Sequence, residues 1–483
     1  MSQRKLLNVG LPLLLLGLLA IIAVFRILQI PVTHDEGITW FQFVQKPVKD
    51  IIIGGNDATA NNHFLNTLLS KLSTAVFGNN PFGLRFPNLV AGILYTVFGY
   101  RGIRQFAGHQ KVWTWCLLLW LILNPFLFDF WGLSRGYGLA SCFVTGSVFF
   151  FLQHCRDPKA KWIWLTLLMA ALAVYSNLPT LNFMVAISAL LLLDCVAFQP
   201  RVYQRRLAVS LLAALAVFYA ILFLLLYEPV KTLLHKKEFY YGGNTGFIHD
   251  TIGSLLRDST GLLAPVATVI AWIVALQILF AAVWWTRALM QAPNDKQVRI
   301  GFYLTLAVLV AGFSTVVQHY LFDTLFLIDR TALFLYPLYI LQLGCLLIHI
   351  LPAGVISRVL SFVFTILFVV NFVLNLDLLA TKTWFFDAKT TAILDRITAR
   401  HQPGEKRIRM RTELLFAPSF RFYTRTSYAD KFEGVEDIHS PFTPDTSYDY
   451  YLIAADNYPI LAPLYTIDTG YDLGEKHLLL KRR

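Results

Sequence analysis

A chain of 483 residues that is 56% hydrophobic and only 14% charged, with a mean hydropathy of +0.57, falls outside the composition of a soluble globular domain and is expected to be a polytopic membrane protein. The formal net charge of +12 does not point to nucleic acid, because the basic residues fall in short clusters between apolar runs, the pattern of cytoplasmic loops, and not on one patch. The five cysteines, Cys116, Cys142, Cys155, Cys195 and Cys345, lie in or beside apolar segments without CxxC or Cys/His spacing, which argues against a disulfide framework and a cysteine zinc site.

Leu6 to Ile30, preceded by Arg4 and Lys5, has membrane length and no small-residue cleavage site, so it is expected to remain as a first helix with a cytoplasmic N-terminus. Residues 31–80 then form an extracytoplasmic loop. It contains Gly54-Gly55-Asn56, and Leu65, Leu68, Leu69 and Leu72 recur at helical spacing, which predicts an amphipathic helix on the membrane surface.

Further spans are expected at Phe82 to Tyr100, Val112 to Phe128, Leu133 to Leu152, Trp162 to Tyr175, Leu181 to Phe198, Leu207 to Tyr227, Leu262 to Trp285, Ile300 to Val317, Thr331 to Ile350 and Ile356 to Leu376, about eleven in all. With the N-terminus inside, the loops that must be cytoplasmic carry Arg101, Arg104 and Lys111; Arg156, Lys159 and Lys161; Arg201, Arg205 and Arg206; Arg287, Lys296 and Arg299; and Arg358, so each is basic. The pair Trp162 to Tyr175 and Leu181 to Phe198, joined by Ser176-Asn177-Leu178-Pro179, is also compatible with a re-entrant hairpin.

An odd number of spans leaves the tail outside. From about Lys382 the composition changes, with a helix expected at Ala388 to Arg400 and strands at Arg407 to Arg411, Tyr450 to Ala454 and His477 to Lys481. The chain therefore divides into a membrane domain, 1–380, and a small extracytoplasmic α/β domain, 381–483. The latter has no Gly-rich phosphate loop and is expected to serve as a lid or acceptor-docking module.

The first polar stretch after the first span is Thr33-His34-Asp35-Glu36-Gly37. Ionisable groups near the hydrocarbon are costly unless they face a polar cavity or a partner, which marks Asp35 and Glu36 as catalytic candidates. Consecutive side chains do not easily reach one atom, so one of the two is expected to take a proton from an attacking hydroxyl. The plain alternative is a pair that caps the following helix.

Arg135, in Ser134-Arg135-Gly136-Tyr137, and Arg330, in Asp329-Arg330-Thr331, open two spans on the outer side. A guanidinium there suits a lipid-borne phosphate, with Tyr137 as its neighbour; the alternatives are an interfacial anchor for Arg135 and a salt bridge to Asp329 for Arg330. Asn62, His63 and Asp129 are candidates for contact with substrate. His34, Glu36, His63 and His319 are weak candidates for a divalent metal ion, since no fixed spacing supports them.

The first helix with its Asp-Glu loop, Asn62-His63-Phe64-Leu65-Asn66-Thr67-Leu68-Leu69, Phe77-Gly78 and Leu84-Arg85-Phe86-Pro87 together resemble the amino-terminal half of the GT-C glycosyltransferases of the protein O-mannosyltransferase and lipid A aminoarabinose transferase group. Ser134-Arg135-Gly136-Tyr137 and Asp329-Arg330-Thr331-Ala332-Leu333-Phe334 followed by Pro337 are similar to motifs of bacterial members. The resemblance implies an inverting transferase that uses a polyprenyl-phosphate-linked sugar on the outer face of a bacterial inner membrane. Its first-loop aspartate would be the base, which maps to Asp35 with Glu36 beside it, and its acceptor would be a lipid, glycan or protein. A flippase of lipid-linked saccharides, or a polysaccharide ligase or polymerase, is the alternative, although no internal repeat of the transporter kind is visible.

Overall fold

The computed structural model describes residues 3–53, 59–108, 110–199, 201–351, 354–402, 404–438 and 444–483; the Gly54-Gly55-Asn56 stretch lies outside them. Among the described residues, seven helices are long and apolar enough to cross a membrane: Pro81–Ala107, Gly136–Arg156, Leu178–Phe198, Gln204–His235, Ala264–Gln291, Lys296–Phe322 and Val355–Asn375. The pair Leu13–Gln29 and His34–Val44 is long and apolar enough only when taken together and is bent by 74° at the break, and Lys111–Ile122, Ala160–Ser176 and Leu335–Ile350 are shorter apolar helices. Every segment expected from hydropathy is thus a helix, and the chain is a multi-pass membrane protein.

Boundaries depart from expectation where local chemistry intervenes. The helix starting at Lys111 stops at Ile122 instead of running to Phe128, because Asn124 accepts from Leu127 N and Pro125 occupies the first position of a separate short helix, Pro125–Asp129. The turn Leu178–Thr180 separates Ala160–Ser176 from Leu181–Leu193, since Pro179 has no N–H to give the helix ladder. Gly136–Arg156 is the central helix, 83% buried, whereas Gln204–His235 and Ala264–Gln291 are only 17% and 22% buried and present apolar side chains outward, as lipid-facing helices do.

Phe64–Phe77 is the amphipathic helix expected, but its protein-facing side is the polar one. Asn66, Thr67, Ser70, Ser73 and Thr74 are buried while Leu72 and Val76 are exposed. The buried polar row finds partners on the bundle: Asn66 accepts from Asn88 at 2.7 Å, and Ser70 lies 2.8 Å from the Ser134 hydroxyl.

The C-terminal part forms one five-stranded sheet: β1 Ile408–Thr412, β2 Phe432–Asp437, β3 Tyr450–Ala454, β4 Tyr465–Asp472 and β5 Lys476–Arg482, in the order β2-β1-β3-β5-β4. β1 runs parallel to β2 and β3, and β5 antiparallel to β3 and β4. The three anticipated strands, β1, β3 and β5, are the inner ones. β2 and β4 are the two edges, and the glutamates, aspartates and glycines that keep such edges from pairing further also blur their strand pattern in sequence.

Helices Thr390–Thr398 and Ala417–Arg425 cover the sheet, and the resulting core, with Ile393, Phe420, Met410 and Leu452, takes in Val32, Trp40, Val44 and Leu84 from the membrane part. Burying Val32 and Leu84 stabilises this junction by about 1.5–3 kcal/mol each. The packing fixes the sheet domain against the segment that carries Asp35.

Candidate active site

The first helix ends at Gln29, Pro31 prevents its direct continuation, and the chain restarts as the short helix His34–Thr39 with Thr33 as N-cap. Glu36 occupies the third helical position and closes a capping box: its Oε2 accepts from Thr33 N at 3.0 Å and from the Thr33 hydroxyl at 3.2 Å. Arg85 donates to both Glu36 oxygens, at 2.8 and 2.6 Å, and Ser134 N donates to Oε1 at 2.6 Å. The remaining Arg85 donors meet the carbonyls of Ile27, Ile30 and Pro31.

Neither Glu36 nor Arg85 is exposed at all. The capping alternative raised for the carboxylate pair is therefore what Glu36 does. It faces Arg85 and the backbone, not the cavity expected of a second catalytic carboxylate.

Asp35, one residue earlier, points elsewhere. Its Oδ2 lies 3.3 Å from Arg135 Nη2 and 3.9 Å from Arg330 Nη2, at 16% side-chain exposure. The turn beneath it is braced, since its carbonyl accepts from Thr39 Oγ1 at 2.8 Å and Asn61 Nδ2 at 2.9 Å. Arg135 is held by Thr39 Oγ1 at 3.1 Å and the Asn61 carbonyl at 3.2 Å. Arg330 donates from Nε to the Tyr137 hydroxyl at 3.3 Å and stacks its guanidinium 4.4 Å from the Tyr241 ring centre and 5.1 Å from that of Trp384. Arg135 lies 100 residues from Asp35 in sequence and Arg330 a further 195, and the fold brings both to one carboxylate oxygen.

His63 packs edge-on to Tyr137, ring centres 4.7 Å apart, and its Nδ1 lies 3.1 Å from the Ser176 carbonyl, which assigns the proton to Nδ1 and leaves Nε2 a buried acceptor without a partner among the described residues. Burial first, and then the Arg135 and Arg330 charges, push the His63 pKa well below the usual histidine value, so the ring is neutral. Asn62 accepts from Thr67 Oγ1 at 2.9 Å, but its Nδ2 is buried and, like Arg135 Nε, has no partner among the described residues. His63 Nε2, Asn62 Nδ2 and Arg135 Nε thus have capacity to bind another molecule beside Asp35 and Tyr137.

Two other sets of candidates are placed differently. Asp129 is spent on Arg26, at 2.5 Å, and on the backbone N–H of Lys382, at 3.1 Å; it ties the first helix to the start of the tail and takes no part in the cluster around Asp35. The residues considered for a metal are dispersed: His34 Nδ1 meets the Leu415 carbonyl at 2.7 Å, His319 Nδ1 meets that of Thr324 at 2.6 Å, and Glu36 and His63 are bound as described. Among the described residues no three histidine, cysteine or carboxylate side chains are grouped as a metal site would require.

The tail supplies contacts that sequence inspection did not anticipate. Tyr423 accepts from Val32 N at 2.9 Å, Ser419 donates to the Val32 carbonyl at 2.5 Å, and Asp387 accepts from His34 N at 2.6 Å. Gly37 is where helix Ala417–Arg425 comes closest: a Cβ there would lie 2.4 Å from the Pro418 carbonyl oxygen. Arg85 and Tyr241 were likewise unassigned, although an arginine inside the apolar run after Phe82 is the kind of signal that marks a specific buried partner.

No protein-family model and no curated protein matches this chain. Among solved structures, ArnT from Cupriavidus metallidurans superposes in its apo state with a TM-score of 0.51 at 11% identity, and bound to undecaprenyl phosphate with a TM-score of 0.57 at 12% identity, each covering 97% of both chains. The oligosaccharyltransferase AglB from Archaeoglobus fulgidus matches with a TM-score of 0.47 at 11% identity over 87% of this chain and 64% of that one. Over nearly its whole length the chain therefore has the fold of ArnT, a bundle of apolar helices with the small α/β domain at its C-terminus.

Proposed function

We propose that this protein is an inverting glycosyltransferase that moves a sugar from a polyprenyl-phosphate donor to an acceptor hydroxyl on the extracytoplasmic side of a bacterial inner membrane. The observation that carries the proposal is Asp35 Oδ2 held between two guanidinium groups, Arg135 at 3.3 Å and Arg330 at 3.9 Å. A donor phosphate competes with Asp35 for both cations, and its arrival frees the carboxylate to act as a base.

In the transfer step the acceptor oxygen attacks the anomeric carbon from the face opposite the phosphate and gives its proton to Asp35. The bond from the anomeric carbon to the phosphate oxygen breaks, its electron pair staying on the phosphate. The leaving polyprenyl phosphate gains one negative charge, which Arg135 and Arg330 are placed to stabilise. Single displacement through an oxocarbenium-like state inverts the anomeric centre. Neutral His63 and Asn62 have the free acceptor and donor to orient sugar hydroxyls.

A place for the lipid supports the proposal. An apolar cavity of about 400 Å³ lies among the membrane helices, walled by Leu335 and Tyr336 of the helix that follows the Arg330 turn, and by Thr251 and Leu255. Those two flank Ser254, whose hydroxyl accepts from Asp329 N at 2.8 Å, so the cavity runs beside the element that carries Arg330. That ArnT has been seen with undecaprenyl phosphate agrees with a lipid of this class.

The test is sugar release from a purified polyprenyl-phosphate sugar by the Asp35→Asn protein in nanodiscs, followed by mass spectrometry of the lipid. Loss of turnover in a folded protein supports a transferase. Undiminished turnover removes Asp35 from the chemistry, and transbilayer movement of an intact donor without sugar release makes the protein a flippase.

A further inference from the structure

A second concavity, separate from the apolar cavity, opens between the first loop and the tail. It is a cleft of about 780 Å³ walled by Trp40, Phe41, Gln45, Asn79, Arg425 and Thr426. Its walls come from the single π-turn Trp40–Val44, which continues the helix bearing Asp35, and from the C-terminal end of helix Ala417–Arg425. The wider π winding shifts the side chains it carries relative to those of the α-helix before it. Phe41 is such a side chain, 40% exposed on a polar wall.

Building on the glycosyltransferase proposal, we propose that this cleft is the acceptor subsite and that it takes an anionic saccharide, one carrying a phosphate or carboxylate. Asn79 Oδ1 already accepts from Trp40 Nε1 at 3.0 Å and from Gln45 Nε2 at 3.3 Å, which fixes both amide orientations. Asn79 Nδ2 and Gln45 Oε1 then have no partner among the described residues, one donor and one acceptor on the same wall, the pair that a sugar hydroxyl uses.

The Phe41 ring offers an apolar face, and the Arg425 guanidinium lies 4.4 Å from its centre. Arg425 forms no ion pair among the described residues, while its neighbour one turn earlier, Arg421, is paired with Asp437 at 2.9 Å. Burial first, and then the like charge of Arg421, draw the Arg425 pKa down, a strain that a bound anion relieves. The lining suits hydroxyls and a negative group and is unsuited to an acyl chain, in contrast to the apolar cavity beside Arg330.

Position agrees with chemistry. Phe41 follows Asp35 by six residues on one continuous helical path, about 9 Å along its axis at ~1.5 Å per residue, so the cleft lies on the same short element as the base.

Saturation-transfer NMR on the full-length protein, with glucose 6-phosphate, glucose and inorganic phosphate as probes, tests this without requiring turnover. Glucose 6-phosphate is expected to bind at least tenfold more tightly than either of the others. Arg425→Gln should erase its advantage over glucose, and Phe41→Ala should weaken both sugars, with the melting transition of each variant unchanged. Inorganic phosphate binding as well as the sugar phosphate, or an unaltered preference in Arg425→Gln, would each overturn the proposal. Because binding is read directly, these results are independent of whether the Asp35→Asn experiment supports a transferase.

Discussion

Consecutive carboxylates in this chain sit in two pockets of opposite design. Glu36 receives five hydrogen bonds from Thr33, Arg85 and Ser134 and is sealed from solvent, whereas Asp35 meets two guanidinium groups at 3.3 and 3.9 Å, retains 16% exposure and has unpartnered polar atoms beside it. Burial of charge alone therefore does not single out a working group. What separates the two is spare capacity: a closed pocket holds the fold, and an open one can exchange a protein partner for a ligand.

The largest effect expected from breaking that contrast is on turnover. Asp35→Asn keeps the shape but loses the base, and sugar transfer should fall by about 10²–10⁴-fold, with the protein still monodisperse in detergent. The reverse is expected across the other pocket. Arg85→Met strands the Glu36 carboxylate in a dry site and should cost about 3–5 kcal/mol of stability, read as a lowered thermal transition. Adding Glu36→Gln should recover part of that loss, because the unpaired charge is then gone. Should Arg85→Met melt like the parent, the Glu36 pocket is not the structural one.

A third carboxylate pocket lies between these extremes and is accessible by pH. Asp258 is pushed up to about 7, first by burial and then by its hydrogen bond to and the charge of Asp329, against the opposing charges of Lys382 and Arg257. Its folded pKa exceeds the unfolded value near 3.9, so the folded state binds more protons between those limits. Its contribution to stability is complete below about pH 4 and is lost as pH rises through 7, with a slope of at most about 1.4 kcal/mol per pH unit. Asp258→Asn should flatten that part of the melting curve. The Asp329 turn carries Arg330, so acceptor-independent donor binding in the same protein should also become less pH-sensitive.

The membrane half was legible because hydropathy and loop charge act over twenty residues at a time, a scale that single side chains do not disturb. Asp35, Arg135 and Arg330 were legible for a related reason: charge at the mouth of an apolar span is costly and so carries information. The division of labour between Asp35 and Glu36 was not legible, because it depends on Arg85 and the Ser134 amide arriving from elements 49 and 98 residues away. Asp129 misled for the same reason, its position at a span mouth being equally suited to the Arg26 pair that claims it. The edge strands β2 and β4 were missed because their few apolar residues are interrupted by acidic residues and glycine, and helix Ala417–Arg425 because it is only nine residues long and buries polar residues such as Ser419 and Thr424 along with its aromatic ones.

The smallest effect distinguishes support of Asp35 from support of the fold in general. Two tyrosines of the tail each make one hydroxyl contact: Tyr423 with Val32 N at 2.9 Å, next to the helix that carries Asp35, and Tyr428 with Asp395 at 2.6 Å, within the tail itself. Removing either hydroxyl should cost about 1 kcal/mol. Only Tyr423→Phe also loosens the entry into the Asp35 turn. Its kcat should fall about three- to tenfold, with an unchanged donor KM, since the guanidinium groups proposed to hold the phosphate come from other elements. Tyr428→Phe should leave kcat at the parent value at the same loss of stability. Equal kinetics for the two variants would mean that the sheet domain steadies the protein as a whole, and that Asp35 is positioned by the membrane helices alone.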